Sequence, residues 1–236
     1  MLTSSLTLTS LTLFITLPFT VESEYPLLNT LNGFKSSNLL INNSKLYGIK
    51  VLRECKNINI KNTDINSKEC FWMCKNTNIK DSNIISEYPF FKSSNLNLEN
   101  VHLTGKYSFQ YCENVVINNS YLDTKDAFWE TKNVTVYNST IKGEYLAWYS
   151  KDLHLINCTI IGTQPLCYCK GLVLENCKMI DCDLSFEYSE VNAQIIGKID
   201  SIKNPLKGEI IYDECGEIIE DENFKNEGII IKKNNN

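Results

Sequence analysis

The sequence predicts an all-β protein that folds as a right-handed, single-stranded parallel β-helix. Two observations predict this fold: one short pattern recurs at every nineteenth position, and apolar and polar positions alternate within it. The pattern reads Asn, apolar, any, apolar, any, Asn, small, any, apolar, and its first residue is called the anchor. The anchors are Asn38, Asn57, Asn76, Asn95, Asn114, Asn133, Asp152, Gly171 and, in degraded form, Glu190. We expect about nine to eleven coils of three short strands, right-handed because parallel crossovers almost always are.

Residues that occupy the same place in successive coils form a column, numbered from the anchor. Columns +1, +3 and +8 are almost entirely Ile, Val and Leu, as in Ile58, Ile60 and Ile65. Alternation with period two and β-branched residues is typical of strands with one buried face. One coil buries too little surface to be stable alone, so the coils must stack on one another. A leucine-rich repeat fits less well, since its repeats run to about 20–29 residues.

Column +5 is the second polar column, and seven of its eight members are asparagine. They are Asn43, Asn62, Asp81, Asn100, Asn119, Asn138, Asn157 and Asn176. Asparagine tolerates the left-handed backbone of a tight bend, and stacked amides can hydrogen-bond from coil to coil. The pattern therefore predicts a bend with an asparagine ladder. Small residues follow at +6, and Gly48, Gly105, Gly143 and Gly162 share one loop column.

Three regions are expected along the 236 residues. Residues 1–24 form an irregular or partial coil around a Ser5–Leu13 strand pair, 25–208 form the β-helix, and 209–236 form an acidic cap with a frayed tail. A signal peptide is unlikely because no Lys or Arg precedes Lys35. No apolar run reaches the ~18 residues of a membrane span.

The ten cysteines mostly follow the columns. Six of them lie at positions −2 and +6, where other coils have Ser, Thr or Val, as is typical of small packed residues. Cys70, Cys167, Cys182 and Cys215 lie outside these two columns. No Cys-x-x-Cys pair exists and both histidines fall in outward columns, so we predict no metal and no cofactor. Packed thiols favour a reducing, cytoplasmic location over secretion. A net charge of −5 argues against nucleic acid as a partner.

The third predicted strand covers positions −7 to −3 and carries most of the aromatic residues. Its −4 column holds Trp72, Trp129 and Trp148 together with Phe91 and Phe186, but also Arg53 and Gln110. We expect this column to fill the core, because large aromatic side chains do so more often than not. The alternative is an exposed aromatic stripe, which would need a ligand or a partner.

Carboxylates and tyrosines flank this strand and supply the candidate site residues. Asp126 and Glu144, on neighbouring coils, are the candidate catalytic pair of a glycosidase-like site. The candidate ligand-binding residues are Trp129, Glu130, Tyr145, Trp148, Tyr149, Tyr168, Asp183 and Glu187.

Four segments of the chain, taken together, resemble a known family of β-helix proteins. Lys125-Asp-Ala-Phe-Trp129, Asn133-Val-Thr-Val-Tyr137, Gly143-Glu-Tyr-Leu-Ala-Trp148 and Asp183-Leu-Ser-Phe-Glu-Tyr-Ser189 resemble an uncharacterised, mainly bacterial β-helix family, domain of unknown function 3737. The likeness covers about Tyr25 to Gly208, and the chain lacks a Gly-Glu-Arg-type start. The resemblance implies the pectin-lyase-like fold and supplies no catalytic residues.

Three functions remain open at this point. The leading hypothesis is a non-catalytic module that binds a ligand or protein partner along its third face, with a saccharide as the best guess. The second is a polysaccharide hydrolase or lyase centred on Asp126 and Glu144. The third is a structural or assembly protein, and the pattern does not specify the oligomeric state.

Overall fold

The computed structural model describes residues 19–22 and 35–233, which form strands and turns without a helix. The predicted Ser5–Leu13 strand pair lies outside the described residues. The strands are β1 (Phe19–Glu22), β2 (Ser37–Asn42), β3 (Lys45–Ile49), β4 (Lys56–Lys61), β5 (Asp64–Lys68), β6 (Lys75–Glu87), β7 (Ser94–Lys106), β8 (Glu113–Asn118), β9 (Tyr121–Lys125), β10 (Lys132–Tyr137), β11 (Thr140–Lys142), β12 (Lys151–Ile156), β13 (Thr159–Ile161), β14 (Leu172–Ile180), β15 (Glu190–Lys203), β16 (Lys207–Ile219) and β17 (Ile229–Lys233).

Every strand pairs in parallel with the strand one coil away, which confirms the β-helix. Ile58 pairs with Thr77, and Thr77 pairs with Leu96, so the register advances by one full sequence repeat at each step. The stack makes a solenoid of about 10 turns. The predicted apolar columns point inward, where Ile58 and Leu96 are 0% and 1% exposed. Stacking therefore gives the chain one continuous core.

The asparagine ladder exists, and the anchors form a second one. Asn57 and Asn62 have φ values of 55° and 51°, as left-handed bends require. Most of the amides donate to the side-chain oxygen one coil earlier: Asn62 Nδ2 lies 2.6 Å from Asn43 Oδ1. In the anchor ladder, Asn133 Nδ2 lies 2.7 Å from Asn114 Oδ1. In both ladders the amide of the later coil donates to the oxygen of the earlier coil, so each hydrogen bond needs a donor on its C-terminal side.

Asp81 interrupts the +5 ladder for this reason. Its carboxylate accepts from Asn100 Nδ2 at 2.8 Å but has no N–H to offer Asn62. We predict that Asp81→Asn restores the missing rung and raises the free energy of unfolding by about 0.5–1.5 kcal/mol. Urea unfolding measures this gain. The matched control is Asn76→Asp in the unbroken anchor ladder, which should lose stability; equal effects of the two changes would contradict the directional ladder.

Small residues at the corners connect one coil to the next. Ser120 Oγ accepts the Val101 N–H at 3.0 Å and donates to the Asn118 carbonyl at 2.8 Å. Thiols occupy equivalent places at −2, where Cys112 Sγ lies 2.8 Å from the Phe90 carbonyl. This confirms that cysteine exchanges with serine as a small packed residue. All ten cysteines lie in the described part of the chain and none forms a disulfide. Burial raises the pKa of Cys70 to about 12, so that thiol is uncharged at neutral pH.

The third segment of each coil is not a strand, contrary to the prediction. It is a turn in which every second residue is left-handed, as in Glu69, Phe71 and Met73 with φ values of 58°, 60° and 54°. Two adjacent residues, at −6 and −5, point inward together; Ala127 and Phe128 are both 0% exposed. A strand cannot bury two neighbours on one face, because its side chains alternate.

Phenylalanine fills the −5 column and forms an aromatic core that was not predicted from the sequence. Phe71, Phe90, Phe109 and Phe128 are each 0% exposed. Their rings stack nearly parallel, with Phe90 and Phe109 centroids 4.9 Å apart at 2°. Stacked rings at coil spacing bury large apolar area, so this column anchors the third side of the solenoid.

The repeat lengthens by a single residue in the third segment of the eighth coil. The Leu166 amide donates to the Leu146 carbonyl, whereas the Phe186 amide donates to the Pro165 carbonyl, one position further back than the regular repeat would place it. A shift in the opposite direction follows on the next coil, where β14 pairs Leu174 with Ala193 but Cys177 with Ile195. β16 and β17 then continue the parallel stack towards the C-terminus.

Candidate functional site

The third face of the solenoid carries the predicted site residues on its three outward columns, −7, −4 and −3. The tryptophan column at −4 is half-buried on this face and does not line the core, so the favoured prediction was wrong. The reason is the phenylalanine column one residue earlier, which already occupies the core. Each indole N–H satisfies a backbone carbonyl of the next coil; Trp129 Nε1 lies 3.0 Å from the Tyr145 oxygen.

Most aromatic rings on this face stack along the solenoid axis. Trp129 and Trp148 have centroids 5.5 Å apart at 7°, and Tyr149 and Tyr168 have centroids 4.8 Å apart at 11°. The two stacks differ in orientation, because the planes of Trp148 and Tyr149 are 80° apart.

In the middle of the face a polar residue interrupts each aromatic column, Asp126 and Glu130 on one coil and Gln110 on the coil before it. We call this the central notch and define it by Gln110, Asp126 and Glu130. The interrupted columns are Tyr107–Asp126–Tyr145 at −7, Phe91–Gln110–Trp129 at −4 and Tyr111–Glu130–Tyr149 at −3.

The −3 column gives the notch its most open walls. Tyr111 and Tyr149 are 42% and 47% exposed and flank Glu130, two coils apart, which is about 9.6 Å. The far face of Tyr149 is covered by Tyr168, and Lys92 Nζ lies 5.8 Å from the Tyr111 centroid. Phe91 also meets Tyr111, with centroids 5.5 Å apart and planes at 82°. The notch thus places a carboxylate between two exposed tyrosines.

Asp126, in the −7 column, is unusually buried for a carboxylate. It is 7% exposed, and the described residues give its carboxyl group no hydrogen bond. Burial raises the pKa of Asp126; Lys125 opposes this shift and Glu144 adds to it. Glu144 itself is exposed and pairs with Lys125, Nζ to Oε2 at 2.7 Å. The predicted pair is thus a buried acid beside an ion-paired carboxylate.

The raised pKa of Asp126 makes a pH-dependent prediction. The fold favours the protonated acid, so its contribution to stability is present below the ordinary value of 3.8 and is lost as pH rises through the raised pKa. We predict that Asp126→Asn stabilises the protein at pH 7 and has no stabilising effect at pH 3. Urea unfolding at both pH values measures the difference. Asp123→Asn is the control, because it removes an ion pair with Lys142 (3.1 Å) and should not stabilise; a gain at pH 3 equal to that at pH 7 would contradict the argument.

The structure separates the remaining candidates into two groups. Asp126, Trp129, Glu130, Glu144, Tyr145, Trp148 and Tyr149 come from consecutive coils around the notch. Tyr168, Asp183 and Glu187 lie further towards the C-terminus. There, Glu187 pairs with Lys203 at 3.0 Å and accepts the Tyr168 hydroxyl at 3.5 Å, while Asp183 accepts the Thr163 hydroxyl. Gln110 belongs to the notch and was absent from the predicted set.

A family model described as protein of unknown function (DUF3737) matches residues 32–232. The chain belongs to this family. The match covers both ladders, the phenylalanine column and the central notch, so the solenoid described above is what this family member folds into. No curated protein matches the chain at a significant level.

Among solved structures, the chain is similar to the Azotobacter vinelandii mannuronan C-5 epimerase AlgE4 A-module. Sequence identity is 9%, the TM-score is 0.28, and the match covers 85% of this chain and 75% of that one. Over the residues that the structure describes, no helix has the length and apolarity to cross a membrane. The same residues contain no group of three potential metal-ligating side chains.

Proposed function

We propose that this DUF3737 protein is a non-catalytic carbohydrate-binding module and that a sugar unit occupies the central notch. The observation that supports this most is the pair of exposed tyrosines, Tyr111 and Tyr149, one coil before and one coil after Glu130 in the same column. Sugar rings present apolar C–H faces to aromatic rings and hydroxyl groups to carboxylates, so this arrangement offers both kinds of contact.

The rest of the notch adds polar groups on the inner side of the same opening. Gln110 contributes an amide, which both donates and accepts, and Glu130 is a carboxylate acceptor that is partly open to solvent. The Tyr168 ring stacks on the outer side of Tyr149 and restricts its rotation. A preorganised site loses less entropy on binding.

The charges around the notch favour a neutral or amino sugar over a uronate. Asp126, Glu130 and Glu144 supply three carboxylates against two ammonium groups, those of Lys125, which pairs with Glu144, and of Lys92, which lies against Tyr111. A polyanionic chain would bring further carboxylates next to this group at a cost in Coulomb energy.

Calorimetric titration with neutral and amino-sugar oligosaccharides tests the proposal. We expect saturable binding to wild type and at least a tenfold loss of affinity in Tyr149→Ala. Tyr137→Ala is the matched control, because Tyr137 is also exposed (36%) but lies on the outer surface of β10, away from the third face. The wild-type affinity should persist in this control.

Two results would overturn the proposal. The first is the absence of binding across the whole panel, and the second is an equal loss of affinity in Tyr149→Ala and Tyr137→Ala. A circular dichroism melt of each variant checks that the fold is intact before the affinities are compared.

A polysaccharide hydrolase or lyase is the second candidate, and the buried Asp126 favours it. Burial raises the pKa of Asp126, and a raised pKa is the direction of shift that a general acid needs. This candidate predicts that the protein releases reducing ends or unsaturated products from a polysaccharide, and that Asp126→Asn abolishes the release. Binding without turnover would contradict this second candidate and would support only the function of a binding module.

A further inference from the structure

An open groove lies on another part of the surface, along the bend between the first and second strands of four consecutive coils. Its volume is about 520 Å³, within the size range of ligand sites. Its two walls are the +5 and +7 columns, namely Asp81, Asn100, Asn119 and Asn138 on one side and Asn83, His102, Tyr121 and Thr140 on the other.

The asparagine ladder is interrupted inside this groove. Asn100 donates to Asp81, but Asn138 turns away from the column and donates to Asn118 Oδ1 at 3.3 Å. Among the residues that the structure describes, Asn119 makes no side-chain hydrogen bond, although its column neighbours in most other coils do. A primary amide with two donors and one acceptor is therefore available to a ligand in the groove.

Tyr121 provides an aromatic face beside this amide. It is 36% exposed, and its ring is tilted by 42° from His102 at a centroid distance of 4.9 Å. The next coil places only the small Thr140 in the same column, so the second face of the ring is uncovered. Four axial pairs on the third face lie within 20° of parallel, whereas Trp72 and Phe91 are tilted by 44°, much as Tyr121 and His102 are.

The groove lining contains no lysine or arginine and one carboxylate, Asp81. It thus offers amides, a hydroxyl, an imidazole and an aromatic face without a cationic group that would recognise phosphate or a uronate. The four coils span about 14 Å along the axis, which suits several linked sugar units better than one.

We propose that this groove is a second carbohydrate site, separate from the central notch, that binds a neutral oligosaccharide along the solenoid axis. Tyr121 stacks on a sugar ring, and Asn100, Asn119 and Asp81 hydrogen-bond its hydroxyl groups. The site does not depend on the notch, so either can exist without the other.

The two histidines give a built-in test, because His102 lines the groove and His154 is exposed on the outer surface of β12. The probes are cellohexaose, xylohexaose, mannohexaose and chitohexaose, each titrated into the full chain while the imidazole C–H proton resonances are followed. We expect at least one hexasaccharide to shift the His102 resonance saturably and to leave that of His154 unchanged.

Variants assign the response to the groove. Tyr121→Ala should weaken the affinity read from His102 at least tenfold, whereas Tyr137→Ala and the third-face variant Tyr149→Ala should leave it unchanged. The proposal is overturned if no hexasaccharide shifts His102, or if the titration is unaltered in Tyr121→Ala. Loss of this response in Tyr149→Ala alone would also overturn it and would assign all binding to the notch.

Discussion

Phe128→Ala should lower the free energy of unfolding by about 3–5 kcal/mol, the largest effect we expect from a core substitution. The ring is 0% exposed and stacks on Phe109 with centroids 4.8 Å apart at 6°. The backbone contributes little to the loss, because Ala147 occupies the same column one coil later with the same left-handed conformation (φ 61° against 60°). The loss therefore reports the missing ring.

The neighbouring coil also supplies a compensating variant. In most coils a small residue at −6 precedes a large one at −5, as in Ala127 and Phe128, but Leu146 and Ala147 reverse the sizes and are both buried. The double variant Ala127→Leu, Phe128→Ala copies this reversed pair. Equilibrium urea unfolding should show that it recovers a large part of the stability lost in the single variant. A double variant no more stable than Phe128→Ala would contradict the interpretation of the two columns as one packing unit.

Gly143→Ala should cost at least about 3 kcal/mol, because backbone strain and a clash act together. Gly143 has a φ of 150°, and a Cβ there would lie 2.4 Å from the Thr124 carbonyl oxygen of the coil below. The coil of Gly143 cannot move away from Thr124, because the Gly143 amide donates a hydrogen bond to the Ile161 carbonyl at 2.8 Å on its other side. The stack must open locally to admit the methyl group.

Gly197→Ala is the matched control for the clash. Gly197 also has a positive φ, 79°, but a Cβ there would have no heavy atom within 4 Å. It should cost only about 1–2 kcal/mol, the penalty for a left-handed alanine. Equal losses in the two variants, measured by urea unfolding, would show that the close approach of the coils at Gly143 is unimportant.

The strands and the asparagine bend could be predicted from the sequence because their chemistry is periodic. Alternation in pairs such as Ile58 and Ile60 follows from the pleat of a strand, and asparagine at every nineteenth place follows from a left-handed bend. The prediction of a third strand was wrong because this segment buries adjacent residues, such as Ala127 and Phe128, whereas a strand buries every second residue.

Signals against a third strand were nevertheless in the sequence. Pro89 and Pro165 fall within the proposed strand, where a proline cannot donate to a ladder. The notch was found only in part: Asp126 and Glu130 were chosen by residue type, whereas Gln110 matters through its place in the aromatic column. Ring orientation was beyond prediction, because it depends on the alternating left-handed backbone.

A sugar bound in the notch of this DUF3737 protein should change the indole N–H resonances of nearby tryptophans. The protein has three such resonances, one for each tryptophan. Trp129 borders the notch, while Trp72 lies three coils, about 14 Å, away in the same column. In a titration of 15N-labelled protein with neutral and amino-sugar oligosaccharides, we expect the Trp129 resonance to shift saturably and that of Trp72 to stay in place. An unchanged Trp129 resonance throughout the panel, or equal shifts of both, would contradict the account.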